Sequence, residues 1–128
     1  MPDKPNRILV VDDDEAIRVM LERVLRREQF EVDSARDGFE AIEKLSSKDY
    51  GTILLDLMMP RVDGHGVLQF LQQHRPEKAQ SVIIMTANLP GGIDAAREQP
   101  IFRVLSKPFD IQQLVENVRE CTRAEEKL

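Results

Sequence analysis

The sequence predicts a doubly wound α/β fold, with five parallel strands in the order 2-1-3-4-5 and helices on both faces. Short apolar runs alternate with segments of helical periodicity, which is the pattern of βαβ units. The runs are also of two kinds. Ile8-Leu9-Val10-Val11, Ile53-Leu54-Leu55 and Val82-Ile83-Ile84-Met85 are continuously apolar, as strands are when helices cover both faces of a sheet. Phe30-Glu31-Val32-Asp33 and Phe102-Arg103-Val104 mix apolar with polar residues, as edge strands do. With strands two and five at the edges and right-handed crossovers, the order follows. The chain then reverses direction between strands one and three, and open sheets bind ligands in the crevice at such a switch point.

The helices follow from their own patterns. After strand one, Ile17, Met20, Leu21, Val24 and Leu25 recur at helical spacing. Asp37-Gly38 opens a second helix carrying Phe39, Ala41, Ile42 and Leu45. A third carries Val67, Leu68, Phe70 and Leu71 and ends before Pro76. Pro90-Gly91-Gly92 interrupts the chain after strand four, so the fourth helix is expected to be short or irregular, near residues 93–99. Asp110 caps a last helix bearing Ile111, Leu114, Val115 and Val118.

A chain of 128 residues is expected to form a single domain over residues 1–128, with a core over about 6–123. The 41% hydrophobic and 32% charged residues describe a globular chain. A net charge of -5 argues against direct nucleic-acid binding, which needs a basic surface. Cys121 alone excludes an internal disulfide and suits a reducing compartment. No apolar run is long enough for a membrane span, and residues 1–7 lack the apolar core of a signal peptide. The expectation is a cytoplasmic protein without membrane contact. Met1 suggests a natural start, and residues 124–128 leave no room for an output domain. A stand-alone protein and one domain of a longer chain both remain open.

Four strands end in polar residues that would meet at one sheet edge. They are Asp12-Asp13-Asp14, Asp56, Thr86 and Ser106-Lys107-Pro108. Carboxylates ~4 Å apart repel by about 4 kcal/mol at an effective dielectric near 20, so the cluster calls for a cation. Oxygen-only ligands select a hard ion such as Mg2+, which typically keeps waters and takes one or two carboxylates with a phosphate oxygen. Asp14 reads as a helix cap, but capping accounts for one acid and not three. Asp56 could be an ordinary loop acid, yet a carboxylate can also be a nucleophile toward phosphorus. Lys107 could neutralise phosphoryl oxygens opposite a divalent ion, and Thr86 could donate to one. His65 and His74 are expected to be exposed, and Cys121 to be a packed thiol. No glycine-rich loop follows strand one, which argues against a nucleotide cradle.

These motifs resemble the receiver domains of two-component response regulators, including the chemotaxis receivers. The matching segments are Val10-Val11-Asp12-Asp13, Leu55-Asp56-Leu57-Met58-Met59-Pro60 with Asp63-Gly64, Met85-Thr86-Ala87, and Ser106-Lys107-Pro108-Phe109. They span nearly the whole chain, in family order. The resemblance implies a flavodoxin-like fold of five βα units. It implies phosphorylation of Asp56 by a sensor histidine kinase or a histidine phosphotransfer protein. It further implies Mg2+ (or Mn2+) held by Asp12, Asp13, Asp56 and the backbone carbonyl of Met58, with Thr86 and Lys107 contacting the phosphoryl group. Catalysis would be limited to the domain's own phosphorylation and dephosphorylation. A phosphorylation-dependent homodimer through the face of helix four, strand five and the last helix is a further implication.

The chain departs from the family pattern at Val104, where a Tyr or Phe usually serves as a switch, and at Pro100-Ile101, where Gly-Ala is usual. Switching is therefore expected to act through residues 88–99 and not through a rotating side chain at Val104. Two alternatives fit parts of the pattern. A haloacid-dehalogenase-like phosphatase would use Asp12 within Asp12-Asp13-Asp14, although Glu15-Ala16 follows where that family has Thr or Val. A degenerate receiver would be an interaction module that works without phosphorylation.

Overall fold

The computed structural model describes residues 6–57, 64–87 and 101–126. Its sheet is parallel, with strands β1 (Arg7–Val11), β2 (Glu31–Ala35), β3 (Thr52–Asp56), β4 (Val82–Ala87) and β5 (Arg103–Lys107). The strand order is β2-β1-β3-β4-β5, as the two kinds of apolar run predict. Every residue of β1 beyond Arg7 and every residue of β3 is buried, whereas β2 and β5 mix buried with exposed positions.

Alternation along the strands divides the core into two layers. Leu9, Val11, Ile53, Leu55 and Ile84 pack with Ala41 and Leu45 of α2 (Gly38–Ser47) and with Val67, Leu68 and Leu71 of α3 (Gly64–His74). On the other face, Ile8, Val10, Leu54, Ile83 and Met85 pack with Leu21 and Leu25 of α1 (Glu15–Arg27). Leu114, Val118 and Cys121 of the C-terminal helix (Ile111–Glu126) complete that layer. Leu21 and Leu25 are fully buried, a change worth about 2 kcal/mol each relative to exposure.

The two expected caps form, and Asp37, at the expected start of the second helix, is a third. Asp14 accepts from the backbone N–H groups of Ala16 and Ile17, Asp37 from that of Glu40, and Asp110 from those of Gln112 and Gln113. Strand β2 begins one residue later than its sequence pattern suggests, because α1 claims the N–H of Phe30. Gln29 has φ 74, its N–H bonds Arg26 O, and that of Phe30 reaches back to Leu25 O, which together make a Schellman cap. A 3-10 turn over Pro76–Ser81, absent from the sequence reading, leads into β4. The expected fourth helix, Pro90-Gly91-Gly92 and Met58 lie outside the described residues.

Candidate phosphoryl-transfer site

Strands β3, β4 and β5 extend past their apolar runs, so three of the four site segments sit on ladder-paired backbone. Asp56 pairs with Met85, Thr86 with Ser106 and Ala87 with Lys107. Asp12 lies one residue beyond β1, and its N–H donates to Ala35 O of β2. Asp12, Asp56 and Thr86 are buried, at 0%, 4% and 2% exposure, whereas Asp13 is exposed.

The structure brings the predicted acids together. Each of Asp12, Asp13 and Asp56 offers a carboxylate oxygen, and these oxygens lie within 4.8 Å of one another. At that spacing a pair of ionised carboxylates repels by roughly 3–4 kcal/mol at an effective dielectric of about 20. The Lys107 ammonium offsets part of this, at 2.9 Å from Asp12 Oδ2 and 3.4 Å from Asp56 Oδ2. Burial pulls the Lys107 pKa down. The hydrogen bond and charge of Asp12, with the charge of Asp56, outweigh that and hold it above the ordinary lysine value. Among the described residues, the one ammonium on these carboxylates is that of Lys107, which leaves the three acids in excess. The all-oxygen donor set suits a hard divalent cation.

Two further contacts shape the site. The N–H of Asp14 donates to Asp12 Oδ1 at 2.9 Å, so both Asp12 oxygens are occupied, one by the backbone and one by Lys107. A buried carboxylate so engaged is poorly placed to be the phosphatase nucleophile that Asp12-Asp13-Asp14 allowed as an alternative. On the other side, α3 starts hard against the chain that follows Asp56. A Cβ on Gly64 would stand 2.6 Å from Asp56 O and from Leu57 Cα. Glycine is required there by the close approach, and its N–H donates to Leu57 O.

The remaining sequence expectations fall into place around this centre. The Asp14 side chain caps α1. His65 and His74 are exposed, with the His74 ring beside Phe70. Cys121 is buried, and its thiol contacts Gly51 O and Ser81 O. Val104 is half-buried and packs with Ile101 on the α2–α3 side of the core. Sequence reasoning missed Arg18, whose guanidinium donates to Asp12 O at 2.9 Å. Nothing in an amphipathic helix marks such an arginine out from a solvated one.

Comparison with known proteins agrees with this geometry. Residues 8–119 match the family model described as the response regulator receiver domain. The transcriptional regulatory protein ResD of Bacillus subtilis is 38% identical over 122 residues, covering 91% of this chain and 48% of ResD. SrrA of Staphylococcus aureus is 37% identical over 123 residues, covering 92% of this chain and 48% of SrrA. The chain thus spans about half the length of the curated relatives it matches. Among solved structures, a Francisella response regulator receiver domain superimposes with TM-score 0.83 at 27% identity, covering 93% and 98% of the two chains. Response regulator protein TrrA of Thermotoga maritima, in complex with Mg(2+)-BeF, gives 0.78 at 32% identity, covering 90% and 97%. The chain therefore belongs to the response regulator receiver domains, the receivers of two-component signalling.

Proposed function

We propose that Asp56 is the phosphoryl acceptor of this receiver, in a reaction that requires a divalent cation. The observation that carries the reading is the gathering of three carboxylates at the sheet edge, with the Lys107 ammonium on two of them. Asp12, Asp13 and Asp56 would hold Mg2+ or Mn2+, which when bound supplies positive charge against the carboxylates and the incoming phosphoryl oxygens. Met58, the fourth expected ligand through its carbonyl, lies outside the described residues.

A carboxylate oxygen of Asp56 attacks phosphorus, forming an O–P bond as the donor's bond to phosphorus breaks. With a phosphohistidine donor that bond is N–P, and the departing imidazole nitrogen keeps the electron pair and takes up a proton. Lys107 is already within reach of Asp56 and pairs with the new phosphoryl oxygens as a charge-assisted partner. Thr86, in the adjoining strand, donates its hydroxyl to one of them. The domain's chemistry is confined to gaining and losing this group. The donor is a histidine kinase or a histidine phosphotransfer protein. The apolar depression of Ile17, Met20, Pro108 and Phe109 beside Lys107 offers such a protein a surface next to the acceptor.

The test is intact-mass analysis after incubation with acetyl phosphate. Wild type should gain one phosphoryl group with Mg2+ and none in chelator, and Asp56→Asn should gain none in either. Labelling retained in Asp56→Asn would move the acceptor elsewhere.

A further inference from the structure

The three acids of the site are not held equally well. Asp12 is fixed through both carboxylate oxygens, by the Asp14 N–H and by Lys107. Asp56 is fixed by its place in β3, by burial and by Lys107. Asp13 is exposed, and its side chain has no hydrogen bond among the described residues. Its position therefore depends on the backbone that carries it. That backbone has left the sheet, since the ladders of β1 with β2 and with β3 end at Val11.

Arg18 holds this short segment from both sides. Its guanidinium donates to Asp12 O at 2.9 Å, and its backbone N–H donates to Asp14 O at 3.0 Å. The two carbonyls bracket Asp13. The Asp12 carbonyl belongs to the planar peptide unit that joins Asp12 to Asp13, so fixing its direction also fixes where the Asp13 Cα sits. Among the described residues no backbone N–H donates to that carbonyl, and a strongly hydrogen-bonding backbone group needs a donor. The half-buried Arg18 side chain supplies it from the first turns of α1.

We infer that Arg18 is a positioning residue for the divalent-cation site, acting on Asp13 through the Asp12–Asp13 peptide. The inference rests on the cation site proposed above. It also runs against simple electrostatics. A guanidinium next to a cation site repels the cation, so on charge alone the removal of Arg18 should tighten cation binding. On positioning it should loosen binding, and the two accounts predict opposite signs.

The experiment is calorimetric Mg2+ titration of the unphosphorylated protein, for wild type, Arg18→Met and Arg18→Lys. It is paired with metal-free thermal melts and with phosphorylation rates by acetyl phosphate across Mg2+ concentrations. Arg18→Met keeps the aliphatic stem and removes the donor. Its Mg2+ dissociation constant should rise about tenfold, the lower end of what loss of a metal site's supporting hydrogen bonds costs. Its phosphorylation rate should return to the wild-type level at saturating Mg2+, and Arg18→Lys should recover part of the affinity. Unchanged or tighter Mg2+ binding in both variants would overturn the role, as would a lowered melting temperature with wild-type affinity. Should Arg18→Met not fold, the Arg18→Lys titration decides alone, since a shorter donor still predicts weaker binding. A wild type that binds no Mg2+ would instead remove the cation site itself.

Discussion

The two ends of the sheet both carry clusters of charge, and they are built on opposite principles. At the carboxyl ends of the strands, Asp12, Asp13 and Asp56 lie together, and Asp12 and Asp56 share Lys107. Near the amino ends, each acid has its own partners. Asp49 meets Arg75 at 3.0 Å and Lys78 at 3.1 Å. Asp33 accepts from Tyr50 Oη at 2.7 Å and from Lys48 Nζ at 3.3 Å. The balanced cluster joins the segments that lead into β3 and β4. The unbalanced cluster stores repulsion that a bound cation relieves. A local excess of one charge sign, more than charge density, separates a site from a scaffold here.

The comparison breaks most visibly when one acid at each end is neutralised. Asp49→Asn takes the carboxylate from the buried Lys78 ammonium and leaves it the Tyr50 carbonyl, so it should destabilise the fold by about 3 kcal/mol, as loss of one partner from a buried pair typically does. Denaturant unfolding measures this, and a change near zero would show that the amino-end cluster is no better balanced than the other.

Tyr50→Phe should cost less, about 1.5 kcal/mol, through a lost hydrogen bond to a charged group. The cost should also depend on pH. Burial alone would raise the Asp33 pKa, but the Tyr50 hydroxyl and the Lys48 ammonium outweigh it and hold it below the ordinary carboxylate value. Burial, then the bond to Asp33 and its charge, pushes the Tyr50 pKa up. A depressed carboxyl stabilises above its unfolded pKa, near 3.9, and loses that contribution as pH falls through the folded value. A raised phenol stabilises below its unfolded pKa, near 10, and loses that contribution as pH rises through the folded value. The gap between wild type and Tyr50→Phe should therefore be flat between about pH 4 and pH 10 and narrow on either side. A gap that widens in acid would contradict this arrangement.

The smallest effect has the opposite sign. Asp13→Asn removes one of three mutually repelling charges, so it should stabilise the metal-free protein by ~1 kcal/mol, a value reduced by the exposure of Asp13. The same substitution should weaken Mg2+ binding. Destabilisation by Asp13→Asn without metal would mean that the carboxyl-end cluster is not frustrated.

Much of this was legible in the sequence because burial and strand order share one cause. Residues of β1, β3 and β4 are apolar on both faces because helices cover both, so strand order and core could be read together. The site was legible because Asp12, Asp56, Thr86 and Lys107 each follow an apolar run. What could not be read was where the ladders stop, since pairing continues through Asp56, Thr86 and Lys107 after the apolar signal ends. Arg18 and Lys78 were also hidden. Their partners, the Asp12 carbonyl and Asp49, become neighbours only in the folded chain, and Lys78 is buried within a polar stretch that reads as a loop. The glycine at position 64 was visible as part of a motif, but the backbone contact that demands it was not.

The central claim is that the carboxyl-end cluster is short of positive charge because it receives a cation and a phosphoryl group. A crystal structure with Mg2+ and beryllofluoride, a phosphoryl mimic, tests it most directly. The account predicts the metal among Asp12, Asp13 and Asp56 and beryllium on Asp56. It also predicts that Lys107 leaves Asp12 Oδ2 for a fluoride that Thr86 also contacts. Beryllofluoride bound away from Asp56, or an ammonium still on Asp12 beside an occupied Asp56, would contradict it.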